Sequence, residues 1–300
     1  MNGKREGPLV QCGRTFREQE IEQVCETVRM YPGLTRKELT ATLCEHLGWY
    51  TAGGGLKENA CEKLLEKLRG EGRVQLPAKR MVRRKRRTIE LTGRTRERPP
   101  VVGTVATVGP IRLEAVEGAR GRLVDEYIQR YHPLEYRQPF GYRMRYLLEG
   151  QAGRLGCLLF AGAAKNLGAR EQWIGWSDEQ RLQRLAWLIG LNRHLIFPWV
   201  RVKNLSSHVL ALVRRQVPQD WQKRWGYQPL LLETFVDPLT HAGSCYKAAG
   251  WTELGMSSGE GLVRPGRSYR TTPKKIFVLP LCRQFRSLLC AELPVPAGLR

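Results

Sequence analysis

Residues 197–211, FPWVRVKNLSSHVLA, read as a buried strand that passes through a short turn into a helix. A strand that feeds directly into a helix commits a chain to a sheet with helices laid over it. At such junctions glycines let backbone N–H groups approach a phosphate at the positive end of the helix. Here the turn is Lys203-Asn204-Leu205-Ser206-Ser207, without a glycine. Asn204 tolerates the left-handed conformation, and Ser206 or Ser207 can cap the helix start.

The neighbouring segments extend the same architecture. GARGRLVDEYIQRYHP places Leu123, Tyr127, Ile128 and Tyr131 on one helical face before Pro133. Two apolar runs flank Glu149-Gly150-Gln151-Ala152-Gly153, a hairpin signal. WSDEQRLQRLAWLIGLNRHL reads as a helix capped at Ser177 or Asp178, and LIFPWVRV as a strand. SSHVLALVRRQVPQDWQKRWG is helical with a break at Pro218, PLLLETFVDP is a buried strand, GSCYKAAGW a short helix and PKKIFVLPL a last strand. The order implies a mixed sheet covered by helices, an α+β class.

The first part of the chain has a different pattern. FREQEIEQVCETVRMYPG spaces Ile21, Val24, Cys25 and Val28 helically and stops at Pro32-Gly33. A second helix opens with Thr35 and Glu38 in capping-box spacing, and a third carries Ala60, Leu64, Leu65 and Leu68. With RVQLP as a short strand, these form a winged-helix-like domain over 1–78. The third helix of such a domain is the DNA-reading one. Here it mixes Lys57, Lys63, Lys67 and Arg69 with Glu58, Glu62 and Glu66, so its charge does not decide between DNA and protein contact.

Charge is the sharpest functional signal. Fifty Lys and Arg stand against 28 Asp and Glu, a formal net charge of +22, which draws polyanions in a salt-dependent way. Seven of the nine residues from 79 to 87 are basic: Lys79, Arg80, Arg83, Arg84, Lys85, Arg86 and Arg87. They lie in a linker, 79–110, that ends in Pro99-Pro100 and VVGTVATVGP, ahead of a second domain over 111–300. A Gly- and Ser-rich basic loop carries Arg264, Arg267 and Arg270. DNA or another nucleic acid is the expected partner, with these residues on phosphates. No basic amphipathic stretch with exposed Trp or Phe points to a membrane, and no apolar run or signal-like N-terminus points away from the cytoplasm.

Eight scattered cysteines without a CxxC read as reduced, core-filling thiols. Cys25, Cys44, His46 and Cys61 match no common zinc spacing, the five histidines stand apart in sequence, and no metal site is expected. Glu233 and Asp237 lie four apart on one strand and share a face, with Asp178 and Glu179 as further carboxylates for a metal-dependent nuclease or a transposase-associated factor.

The strand order, LETFVDP and the Tyr246-x-x-x-Gly250-Trp251 pattern resemble GNAT-type acetyltransferases. That resemblance implies an acetyl-CoA or related acyl donor held by Asn204, Ser206 and Ser207. It implies Tyr246 beside the cofactor sulfur as a proton donor, and Glu233 facing the cleft as a general base acting through water. GCLLFAGAAKNLGAREQWIGWSDEQR, the stretch from LIFPWVRV to LETFVDP, GSCYKAAGW and KKIFVLPL resemble the DruA family, named for a subunit of the Druantia anti-phage system. The DruA resemblance implies a prokaryotic protein of phage defence or mobile elements, with a defence helicase or a transposase as expected partner. No reaction or cofactor comes with it.

Overall fold

A computed structural model describes residues 9–31, 34–52, 54–78, 88–139, 142–259 and 272–291. Two hydrophobic cores organise them.

The first core begins with a hairpin of β1 (Leu9–Gln11) and β2 (Arg14–Phe16), turned by Cys12 and Gly13, both at positive φ. Three helices follow, α1 (Glu18–Met30), α2 (Arg36–His46) and α3 (Glu58–Gly70). The capping box of α2 forms as its spacing predicts: Thr35 N donates to Glu38 at 2.9 Å, and Glu38 N to Thr35 Oγ1 at 3.3 Å. Ile21, Leu39, Leu43, Leu64, Leu65 and Leu68 close the core. Each such aliphatic side chain contributes about 1.5–3 kcal/mol by leaving water. Cys44 and Cys61 are buried among them, and burial pushes both thiols up, so they are packing groups. The expected strand RVQLP is irregular. Two of its backbone groups bond to helices instead, with Arg73 N donating to Leu68 O at 2.9 Å and the Arg36 guanidinium to Pro77 O at 2.8 Å. The three helices are therefore present without a strand after α3.

The second core surrounds a seven-stranded sheet. After a 3-10 turn (Gly93–Thr95) come β3 (Val101–Thr104), β4 (Arg112–Val116), α4 (Gly118–Tyr131), β5 (Arg143–Gly150) and β6 (Gly153–Gly162). α5 (Gly168–Ile174), α6 (Asp178–Arg184), β7 (Leu188–Ile196), β8 (Val200–Lys203) and α7 (Leu205–Trp225) follow. The chain then forms β9 (Leu231–Val236), α8 (Ser244–Ala248), β10 (Thr252–Met256), β11 (Lys275–Pro280) and α9 (Phe285–Leu289). The sheet order is β10-β11-β9-β7-β6-β5-β4. Every neighbouring pair is antiparallel except β7 and β9, which α7 connects in parallel.

Alternation along the strands sorts the helices. On β5, Arg145 binds Asp125 of α4 at 2.6 Å, while adjacent Tyr146 bonds Asp220 of α7 at 3.1 Å. Successive strand residues point to opposite faces, so α4 and α7 cover opposite sides. Part of the segment read as linker joins this core: Val108 is buried, and Thr95 Oγ1 donates to Glu126 at 2.6 Å.

Three further boundaries differ from the sequence reading. The helix from Ser177 ends at Arg184, because Leu188–Ile196 pairs with β6 and β9; a short apolar run fits either period. LIFPWVRV is not one strand, since a turn at Phe197–Val200, closed by Val200 N to Phe197 O at 2.9 Å, carries β8 off the main sheet to pair with β3. α7 runs through Pro218. Its buried row of Val209, Leu210, Val213, Val217 and Trp221 holds the helix on the sheet despite the rung proline removes.

Candidate functional site

The main sheet opens between β7 and β9, its one parallel pair among the described residues. β7 and β9 pair over Leu188–Gly190 and Leu231–Glu233, then part. A β-bulge causes the divergence: Phe160 of β6 faces Leu191 and Leu159 faces Arg193, leaving Asn192 extra. Such a bulge bends and twists its strand, a common device beside functional sites. Where the ladder ends, Thr234 Oγ1 donates to Leu191 O at 3.0 Å, so a side chain satisfies the first carbonyl released. The carboxyl ends of diverging strands are where open sheets with helical crossovers bind ligands.

Tyr246 of α8 occupies this wedge. Its ring stacks on Phe277 at 5.3 Å and meets Trp251 edge-on at 5.4 Å. Gly243 makes the approach possible: a Cβ there would stand 2.6 Å from the Phe277 ring, and its φ is +81°. The Tyr246 hydroxyl lies 3.4 Å from His194 Nδ1 on β7. Burial, then Cys245, raises the phenol far above its ordinary range, so it stays protonated. Burial, then His132 and His241, lowers His194 to about 4, so it is neutral at pH 7. His132, at the end of α4, is also lowered to about 4 by burial, Arg193, His241 and Lys274. Three histidines far apart in sequence are thus electrostatic neighbours. His194 Nε2 is buried without a hydrogen-bond partner among the described residues, an arrangement that requires a reason.

Glu233 does not face this wedge. Its Oε2 binds Arg170 Nη1 at 2.6 Å, and its Oε1 accepts from Ala164 N at 2.6 Å. Both side chains are fully buried, and Arg170 also binds Glu171 at 2.6 Å. The residue of β9 on the Tyr246 side is Thr234, and alternation turns Glu233 toward α5. The other carboxylates are engaged locally. Asp237 Oδ1 accepts from Leu239 N at 3.0 Å, and Asp178 pairs with Arg181 at 2.9 Å. Among the described residues no group of three His, Cys, Asp or Glu side chains is placed to hold a metal. The Glu179 side chain lies outside the described residues.

At the start of α7, Asn204 has φ 62° and ψ 11°, a left-handed backbone that glycine adopts without strain. The expected serine cap does not form. Ser207 Oγ donates back to Asn204 O at 3.0 Å, and Asn204 as N-cap makes no side-chain capping bond. Buried Leu205 anchors the turn, and Ser206 is half-buried beside it. Lys79, Arg80, Arg83, Arg84, Lys85, Arg86, Arg87, Arg264, Arg267 and Arg270 lie outside the described residues. No helix among the described residues is long and apolar enough to cross a membrane.

The family model of the Druantia protein DruA matches residues 74–268, a span that includes His194, Thr234 and Tyr246 of the wedge, the turn and the Glu233–Arg170 pair. The chain belongs to the DruA family. No curated protein matches this DruA-family sequence. Among solved structures it is similar to FeeM, an N-acyl amino acid synthase from uncultured soil microbes, at 13% identity and a TM-score of 0.35, over 61% of this chain and 95% of that one. It is also similar to the aminoglycoside acetyltransferase AAC(6')-Ib in complex with coenzyme A and kanamycin, at 14% identity and TM-score 0.35, over 59% and 98%. An N-acetyltransferase from Staphylococcus aureus Mu50 matches at 12% identity and TM-score 0.31, over 58% and 99%.

Asn192, His194 and Thr234 carry the wedge geometry of this DruA-family chain and have no motif that announces them. For Asn192 and His194 the available signal is the polar triplet Asn192-Arg193-His194 inside the apolar stretch LIGLNRHLI.

Proposed function

We propose that this DruA-family chain is a nucleic-acid-binding component of a prokaryotic anti-phage defence system or mobile element, with its sheet domain serving as a scaffold. The observation that carries this reading is the charge: +22 over 300 residues, with seven cations in nine positions beside the three-helix unit. Cations at that density release counterions from a polyanion and bind it without sequence preference. A defence helicase or a transposase is the partner expected to act on the bound strand. Fluorescence anisotropy with labelled duplex and single-stranded DNA tests the reading. Binding at low salt supports it, and no binding there rejects it.

A second reading, acyl transfer from acetyl-CoA or a related donor, draws on Tyr246 and His194 at the open end of β7 and β9. Its expected base, Glu233, is held by Arg170 and Ala164 N on the other face. Its phosphate turn has Asn204 where close approach favours glycine. Calorimetry with acetyl-CoA separates the two readings: saturable heat that weakens in Tyr246→Phe supports transfer, and its absence leaves the scaffold reading.

A further inference from the structure

Strands β3 and β8 form a two-stranded parallel ribbon apart from the main sheet, with Val102 opposite Arg201 and Thr104 opposite Lys203. Register-paired residues of parallel strands point to the same side. One side of this ribbon is committed to the core: Val200 is buried, and Val101 and Val202 pack against the cluster. The other side therefore presents Val102, Thr104, Arg201 and Lys203, all exposed. Val102 is 71% exposed, an apolar residue left in water between cations.

The chain entering β3 brings further exposed cations next to the ribbon. Thr95 is buried, with Oγ1 bonded to Glu126 and Arg130, while Arg94, Arg96 and Arg98 are exposed. Tyr131 ties this segment to the ribbon: its hydroxyl donates to Thr95 O at 2.9 Å, and its ring meets Trp199 edge-on at 5.2 Å, one residue before β8. Val101 N donates to Trp199 O at 2.9 Å.

Among the described residues, several arginines of this unit are paired and these five cations are not. Elsewhere in this unit Arg120, Arg145, Arg154 and Arg224 each hold a carboxylate. Arg94, Arg96, Arg98, Arg201 and Lys203 have no ion pair among the described residues, and Glu97 is the one acidic residue from 92 to 104. The segment also continues in sequence from the basic run at 79–87. Exposed cations close together, beside an apolar and a hydroxyl side chain, match a polymer that offers phosphates at intervals with sugar between them.

We propose that the outward face of the β3–β8 ribbon, with Arg201 and Lys203 and the flanking Arg94, Arg96 and Arg98, is a track for a nucleic-acid phosphate backbone. It rests on the nucleic-acid reading above and places part of the grip on the folded sheet domain, separate from the basic run.

The test is fluorescence anisotropy of the full chain with a labelled duplex and a labelled single strand, between about 50 and 200 mM salt. It compares wild type, Arg201→Ala with Lys203→Ala, Arg94→Ala with Arg96→Ala and Arg98→Ala, and a variant neutralised across 79–87. Circular dichroism melting confirms that each variant is folded, and Arg201→Lys with Arg96→Lys keeps the charge. Each phosphate contact removed lowers the steepness of log K against log salt by about 0.9 on duplex and about 0.7 on a single strand. The double variant is expected to lose one to two such contacts and the triple variant at least one, while the lysine variants keep the wild-type slope. If the 79–87 variant loses slope and both ribbon variants match wild type, the ribbon proposal is overturned while nucleic-acid binding stands. No binding by wild type removes both. Binding of poly-glutamate through the ribbon residues without binding of either DNA assigns the face to an acidic protein instead and also overturns the proposal.

Discussion

Glu233 and Arg170 meet at 2.6 Å in an ion pair with both side chains out of water, where the parallel ladder of β9 ends. A second bond, from Ala164 N, engages the other carboxylate oxygen. The pair ties the centre of the sheet to α5 and removes Glu233 from the wedge on the opposite face.

Breaking this pair should be costly. Glu233→Ala leaves a buried guanidinium whose remaining carboxylate is Glu171, and removal of one partner of a buried pair typically costs about 3–5 kcal/mol. Urea denaturation should show a lowered midpoint for Glu233→Ala and Arg170→Ala. A paired Arg170→Met, Glu233→Leu variant should recover much of the loss. An unchanged midpoint in the single variants would show that the pair holds nothing.

Asn204 should behave as a backbone residue. Asn204→Gly is expected to stay within about 1 kcal/mol of wild type, because glycine adopts a positive φ freely. Asn204→Val should lose about 1–2 kcal/mol. Equal melting of the two variants would remove the conformational explanation for asparagine here.

The histidine neighbourhood predicts a pH dependence with a definite sign. His194 and His132 fall from the ordinary 6.5 to about 4 on folding, so the unfolded chain binds more protons in that interval. Their contribution is complete above pH 6.5 and is lost as pH drops toward 4, on the order of 1–3 kcal/mol for each group. Denaturation across that range should show a shallower decline for His194→Gln than for wild type. Parallel curves would mean that His194 titrates normally.

Tyr246 is a packing residue first. Tyr246→Ala should cost about 3–5 kcal/mol by opening the wedge beside Phe277 and Trp251. Tyr246→Phe, which loses the hydroxyl's contacts with His194 and Thr234, should cost about 1 kcal/mol. A Tyr246→Phe variant as unstable as Tyr246→Ala would place the stabilisation in the hydroxyl.

Much of this architecture is written in local patterns. The capping box of α2, the hairpin at Gln151-Ala152 and the left-handed Asn204 follow from residues within four positions of one another. The run Leu188–Ile196 did not, because a short apolar stretch fits both periods and only its partners β6 and β9 make it a strand. Pro218 marked a break that packing along α7 overrides. The wedge depends on contacts across the chain: Asn192 is extra only relative to β6, and His132, His194 and His241 become neighbours only once α4, β7 and β9 are in place. The direction of Glu233 likewise required the strand's alternation to be anchored at Thr234.

The most direct test of the account is the salt dependence of duplex binding by the full chain. A fold used as a basic scaffold predicts tight binding at about 50 mM salt and a fall of about a thousandfold or more by about 200 mM, as expected for six or more phosphate contacts. Binding that is absent at low salt, or that does not change across this range, would contradict it.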